Sequence, residues 1–176
     1  MLRRYHLIRI SLPMKSRYSI RRASVTDLPA IYVGELDYIQ QVEPEQESNW
    51  RKGLRFHLKQ WIDDLDRMFI AECANAHAGY CLWEVHGDSA VLASIYVTPS
   101  QRGNGLGQQL LARFIDDAHA HGFGKLTLSV KPDNLARSLY ERAGFIYTHD
   151  EHGYCKYVHP MAGVRTSAAN PPDSKD

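Results

Sequence analysis

Apolar positions in this chain recur with two periods, near two and near 3.6 residues, and the switches between them predict an order of strands and helices. Tyr18 to Arg22 alternates as a strand. Ser24, Thr26 and Asp27 then offer capping oxygens ahead of Leu28, Ile31 and Leu36, which predicts a first helix. Residues 41–48 are acidic and contain Pro44, the composition of a loop. Trp50, Leu54, Leu58, Trp61, Ile62 and Leu65 return at helical spacing and predict a second amphipathic helix. Residues 68–73, 79–85 and 91–97 are β-rich runs separated by polar or glycine-containing turns, the pattern of an antiparallel meander.

After Pro99 comes the run QRGNGLG, and Leu106, Leu110, Leu111, Phe114, Ile115 and Ala118 then form a helical stripe that Gly122 and Gly124 terminate. Residues 126–130 predict a further strand, 134–142 a short helix, and 145–147 with 154–158 a closing strand pair. The pattern defines an α/β (α+β) chain with one domain over residues 14–159. Residues 1–13 carry Arg3, Arg4 and Arg9 among short apolar stretches and are expected to form a dispensable extension, since the charges interrupt any secretory core. Residues 160–176, rich in small and polar residues with Pro160, Pro171 and Pro172, are expected to be a disordered tail.

Composition narrows the function by exclusion. A formal net charge of +1 on 176 residues leaves no field that would gather nucleic acid. No apolar run approaches the ~20 residues of a membrane-spanning helix, so no membrane partner is expected. Cys73, Cys81 and Cys155 are too few and too scattered for a disulfide framework, which fits a reducing cytoplasm. Cys73, His77, Cys81 and His86 spread along two predicted strands and would have to converge on one face to bind a metal, so no metal is expected. The pairs His119 with His121 and His149 with His152 read as surface histidines.

The glycine run carries the chemistry. A strand, a sharp turn with Gly103, Gly105 and Gly107, and a helix start follow one another at once. Free N–H groups of a first helical turn point at an anion, the helix dipole favours it by roughly 0.3–1 kcal/mol per charge, and glycine lets the anion come close. Arg102 can add a charge-assisted contact. The glycine spacing is not the G-x-G-x-x-G of dinucleotide folds, and an antiparallel meander before the loop is wrong for a parallel βαβ unit. Gly124 and Lys125 are followed by Leu126 rather than Ser or Thr, so the nucleoside-triphosphate loop fails as well.

The run SIYVTPSQRGNGLGQQLL resembles the acyl-CoA-binding signature of the GCN5-related N-acetyltransferase (GNAT) superfamily, with Arg102, Gly105 and Gly107 in the R-x-x-G-x-G positions. PDNLARSLYERAGF resembles that family's later motif through Asn134, Ala136, Leu139, Tyr140, Gly144 and Phe145. The resemblance implies the GNAT fold: a central mixed, mostly antiparallel twisted sheet of six to seven strands flanked by about four helices. It implies acetyl-CoA as co-substrate. Backbone groups of Ile95, Tyr96 and Val97 would pair with the pantetheine arm, and amides of Arg102, Gly103, Asn104, Gly105, Leu106, Gly107 and Gln108 would hold the pyrophosphate. Asn134 would contact the arm, and Tyr140 would return a proton to the CoA thiolate.

Acetylating an amine needs neutral nitrogen, yet an amine with pKa near ~10.4 is mostly protonated at pH 7. Many members of the family place a Glu on the strand before the glycine loop, where this chain has Val91, Leu92, Ala93, Ser94, Ile95 and Tyr96. Glu84 on the preceding strand is the first candidate for the base; Glu35, Asp37 or a water held by Ser94 are the alternatives. Family members that acetylate protein N-termini often carry Glu where this chain has Ser129. A small-molecule primary amine is therefore the expected acceptor, and a protein or peptide amine the alternative. The first two helices supply Glu35, Asp37, Tyr38, Glu43, Glu45, Glu47, Trp50 and Trp61, which suit a small cationic amine unless they form only a solvated loop and core. A non-catalytic acyl-CoA sensor is the rival class, and homodimerisation is left open.

Overall fold

The computed structural model describes residues 17–160. The expected extension over residues 1–13 and all but the first residue of the expected tail lie outside the described residues. Pro160 itself ends a strand.

Among the described residues seven strands form one mixed sheet: β1 (Tyr18–Arg22), β2 (Met68–Cys73), β3 (Ala76–His86), β4 (Ser89–Val97), β5 (Lys125–Val130), β6 (Ile146–Glu151) and β7 (Tyr154–Pro160). Their spatial order is β1-β2-β3-β4-β5-β7-β6, and every neighbouring pair is antiparallel except β4 with β5. The described residues also form five α-helices: α1 (Leu28–Val42), α2 (Glu47–Lys52), α3 (Leu54–Asp63), α4 (Leu106–Ala120) and α5 (Arg137–Arg142).

The sheet separates two apolar layers. On one side α4 lays Leu106, Leu110, Leu111, Phe114 and Ala118 against Cys81, Trp83, Ala90 and Leu92. On the other, Ile31 of α1 and Trp61 of α3 pack with Met68, Ile70, Tyr80 and Leu82. The single long helix expected after residue 48 is two helices: Gly53 caps α2 and opens α3, and Leu65 falls in a short 3-10 turn. Ile62 is 52% exposed, so it leaves the apolar stripe that the spacing suggested. Trp50 and Trp61 belong to the core layer under α1.

Two departures from regular pairing shape the centre. Between β3 and β4 the register steps from Leu82↔Ser94 to Trp83↔Leu92, leaving Ala93 unpaired as a β-bulge. Side chains alternate along a strand, so one extra residue reverses the faces of everything beyond it. Ala90 and Leu92 face α4, and beyond the bulge Ile95 and Val97 face α4 again, while Ser94 and Tyr96 turn to the α1 side. The second departure is the short parallel pairing of β4 with β5, confined to Ala90, Leu92 and the residue between them opposite Leu126, Thr127 and Leu128. Past that point the two strands part.

Candidate active site

The parting strands open a cavity of about 560 Å³ lined by residues 92–97 of β4 and 128–130 of β5. Glu35 and Tyr38 of α1 close one wall, and Asp133, Asn134, Leu139 and Tyr140 close the other. A second hollow of about 460 Å³ continues from it over Gly103, Gly105, Gly107 and Gln108 at the start of α4. The two share Val97, Arg102, Gly107, Leu135, Ala136 and Leu139, so they form one channel.

The channel's ends differ in charge. Around the glycine loop the charged lining residues are Arg102 and Arg142, while the wide end holds Glu35 and Asp133. Gly103 and Gly105 have φ of 75° and 79°, a region that costs an L-residue about 1–2 kcal/mol. Gly105 is the N-cap of α4, so the free amides of the first turn face the hollow from a left-handed start. Asn104 stabilises this turn by donating to the carbonyls of Gln101 and Arg102. The Arg102 guanidinium reaches back, with Nε donating to the Val97 carbonyl at 3.1 Å. Arg142 was not singled out from the sequence; its spacing from Gly144 within the second motif is the only signal that could have drawn attention to it.

α1 is pressed hard onto the sheet. Gly34 is buried, and a Cβ there would stand 2.6 Å from Tyr80 Cε1 and 3.0 Å from Tyr96 Cδ1. This close approach delivers the next residue, Glu35, into the cavity wall. Its Oε1 accepts hydrogen bonds from Tyr80 Oη at 2.8 Å and from Ser94 Oγ. Burial pushes the Glu35 carboxyl above the ordinary carboxylate range, and the donors from Ser94 and Tyr80 oppose that rise without cancelling it. The same burial, with the Glu35 charge beside it, lifts the Tyr80 phenol well above its usual value.

Across the cavity Tyr140 is buried on α5, its ring edge-on to Phe145. Burial and the neighbouring Tyr38 push its phenol far up, so it stays protonated throughout the ordinary pH range. Tyr38, itself raised to about 12 by burial and then by Glu43 and Glu35, hydrogen-bonds Asn134. Asn134 in turn accepts the Ala136 N–H at 2.9 Å and so fixes the turn that leads into α5.

The structure brings Ser94, Ile95, Tyr96, Val97, Arg102, Gly107, Asn134 and Tyr140 together around the cavity, and Gly103, Gly105, Leu106 and Gln108 around the adjoining hollow. It does not bring Glu84 there. Glu84 pairs with Val91, on the far side of the bulge from Ser94 and toward the β3–β4 turn, and its Oε2 lies 3.0 Å from His86 Nε2. Of the other acidic and aromatic residues of the first helices, Glu35 and Tyr38 line the cavity. Asp37 accepts from Tyr96 and Gln41, Glu43 from Tyr154, and Glu47 from Gln40 and Arg51. Among the described residues no group of three or more His, Cys, Asp or Glu is placed to hold a metal, and no helix is long and apolar enough to cross a membrane.

A wedge between parallel strands, floored by a glycine-capped helix, suits the extended, phosphate-bearing ligand that the two sequence motifs imply. Residues 32–145 match the acetyltransferase (GNAT) family. The chain is 33% identical over 136 residues to the L-methionine sulfoximine/L-methionine sulfone acetyltransferase of Pseudomonas paraeruginosa, covering 72% of this chain and 79% of that one. The ribosomal-protein-S18-alanine N-acetyltransferase of Escherichia coli superposes with a TM-score of 0.61 at 27% identity, covering 84% of this chain and 97% of that one. PaiA N-acetyltransferase from Thermoplasma acidophilum, solved in complex with coenzyme A, has the same fold, with a TM-score of 0.70 at 16% identity over 82% of this chain and 99% of that one. The chain belongs to the GNAT family of acetyltransferases and is an enzyme of the transferase class.

Proposed function

We propose that the enzyme transfers the acetyl group of acetyl-CoA to the primary amine of a small molecule, with both substrates bound at once in the β4–β5 wedge. The observation that carries this reading is the splay itself. Beyond Leu92 the backbone of β4 has lost its β5 partner, so apart from the Val97 carbonyl, which Arg102 Nε occupies, the edge is open to an extended amide-bearing chain that completes the ladder. A pantetheine arm is such a chain. Acetyl-CoA would also fit the rest of the channel: the glycine loop leaves room for a pyrophosphate, and Arg102 with Arg142 supply the countercharge.

When bound, acetyl-CoA supplies an activated thioester carbonyl; the protein's task is to place the amine and handle protons. Good positioning alone can contribute roughly 7–11 kcal/mol. Tyr140 can donate its proton where the sulfur departs, and its raised affinity for that proton keeps it a donor at every working pH. Ser94 takes part by holding the Glu35 carboxylate.

The relatives divide between small and protein acceptors: the Pseudomonas enzyme is named for two amino-acid derivatives, the Escherichia coli one for a ribosomal protein. Ser129 favours the small acceptor. It lines the cavity and accepts from Lys156 Nζ at 2.9 Å, which puts a cation beside the position where N-terminal acetyltransferases often carry Glu. The test is free-thiol release from acetyl-CoA across polyamines, amino acids and their derivatives, aminoglycosides and peptides. Turnover concentrated on one small-molecule class supports the proposal. Turnover on peptides alone assigns a protein acceptor, and acetyl-CoA binding without turnover on any amine assigns a sensor.

A further inference from the structure

We infer that Glu35 is the catalytic base of this enzyme, supplied by α1 in place of a carboxylate on the central strand, with Ser94 and Tyr80 as the positioning residues that aim it. The inference rests on the reading of the wedge as an acetyl-transfer site. Both hydroxyls converge on one oxygen, Oε1, which leaves Oε2 to accept from a ligand in the cavity. The three elements reach the site by separate devices: the glycine contact of α1 sets Glu35, the bulge at Ala93 turns Ser94 toward it, and regular alternation on β3 brings Tyr80 to the same face. Three independent backbone features converging on one carboxylate are more than a buried glutamate needs to satisfy its hydrogen bonds.

The other carboxylates near the wedge are otherwise engaged. Both Asp37 oxygens accept, from Gln41 Nε2 at 2.6 Å and Tyr96 Oη at 2.8 Å, with Arg102 3.7 Å away. Both Glu43 oxygens accept from Tyr154 Oη. Asp133 lines the cavity from an exposed loop, where water solvates it. The groups facing Glu35 are Tyr80 from β3, Ser94 and Tyr96 from β4, and Tyr38 from its own helix. Tyr140, Asp133 and Arg102 face it across the cavity. The cations of the wedge lie away from Glu35, with the Arg102 guanidinium turned toward Val97 and Asp37 and the Lys156 ammonium held by Ser129 and Glu151 at the β5 wall, so an ammonium approaching Glu35 meets neutral and acidic groups.

The proton balance is simple. An ammonium loses two protons on becoming an amide. Glu35 takes one from the entering ammonium and passes it to solvent. The freed nitrogen then forms its bond to the acetyl carbon, the carbon–sulfur bond breaks as Tyr140 delivers its proton to sulfur, and the nitrogen's second proton passes to the regenerated Glu35 carboxylate and on to solvent. The Tyr140 phenol is restored through solvent in the cavity.

The experiment is a pH–rate profile on the amine that the wild-type enzyme turns over best, with acetyl-CoA binding followed by thermal shift in the same preparations. Glu35→Gln keeps the shape and can still accept from Ser94 and Tyr80. It is expected to lower kcat about 100-fold or more, to leave the acetyl-CoA shift intact, and to abolish the acidic limb of the profile. Glu35→Asp should recover part of the rate. Ser94→Ala removes a donor that lowers the Glu35 pKa, so its acidic limb should move to higher pH, a readout that a purely structural role would not produce. Wild-type turnover with a Glu35→Gln rate within about threefold and an unchanged acidic limb would overturn the inference and leave the acetyl-transfer reading standing. Loss of the acetyl-CoA shift in Glu35→Gln would make Glu35 a structural residue and overturn it as well. Absence of wild-type turnover on every amine would instead overturn the acetyl-transfer reading, and this inference with it.

Discussion

Leu92 and Ile95 stand three residues apart on β4, an odd spacing, yet both pack into the α4 side of the sheet. Only the unpaired Ala93 allows this. Paired regularly through Ala93, the strand would instead drive Ser94 and Tyr96 into the apolar layer under α4. Deleting Ala93 removes the extra residue and sets Ser94 directly after Leu92, so Ser94 and Tyr96 keep the α1 face, Ile95 and Val97 keep the α4 face, and the variant should stay folded within about 1–2 kcal/mol of the wild type. Urea unfolding measures it; a deletion variant that no longer folds would refute the register account.

Gly34 sits inside a helix, where Ala is intrinsically better by about 1 kcal/mol. The contact with Tyr80 and Tyr96 reverses that preference here. Gly34→Ala is expected to destabilise by roughly 1–3 kcal/mol and to lower kcat more than it weakens acetyl-CoA binding, because the displaced helix carries Glu35 and not the glycine loop. Thermal unfolding and steady-state kinetics on the purified variant decide it.

Tyr140→Phe removes the hydroxyl and keeps the ring against Phe145. If the phenol returns the proton to sulfur, kcat should fall about 100-fold with little change in stability. Because burial holds this phenol protonated far above its usual range, no loss of wild-type activity below about pH 10 should trace to Tyr140, and the Phe variant should keep the wild-type alkaline profile shape in that range.

Acid sensitivity has a separate source. Arg21 bridges Asp27 and Glu72 at 2.8 Å each, tying β1 to β2 and to the start of α1. The guanidinium holds the Asp27 carboxyl far below the usual carboxylate range. A depressed folded-state pKa contributes stability that is present above the unfolded value of ~3.9 and is lost as pH falls below it. Both partners are partly solvated, so each pair is worth about 0.2–1 kcal/mol. Arg21→Ala should lower the melting temperature at pH 7 and have a smaller effect near pH 3, which calorimetry at the two pH values would show.

Much of this fold was legible in the residue pattern, because strands such as 68–73 and the stripe from Leu106 to Ala118 carry clear periods and clear stops. The glycine loop was legible too, since two of its three glycines, Gly103 and Gly105, occupy left-handed positions where backbone geometry tolerates little else. The acidic residue of the wedge was not. Alternation puts Glu84 on the face of Tyr80 and Leu82, which Ser94 shares, but Glu84 stands opposite Val91 toward the β3–β4 turn and away from the wedge, and the bulge of one alanine that sets this register leaves no mark in a run as apolar as VLASIYV. Glu35 depends on how closely α1 approaches the sheet, a distance that no hydrophobic period records. Gly34 inside a helix was the one available signal. The break at Gly53 was hidden in the same way: the apolar spacing continues across it, and only the glycine shows where one helix stops and the next begins.

The most direct test of the central claim is thermal unfolding of the protein with and without acetyl-CoA, followed in the same sample by free-thiol release on a panel of amines. A ligand that binds only the folded state must raise the transition by mass action. A clear upward shift, lost in Gly105→Glu and accompanied by thiol release on one class of amine, is the result expected. No shift at acetyl-CoA concentrations far above micromolar would contradict the assignment of the β4–β5 wedge as an acyl-CoA site.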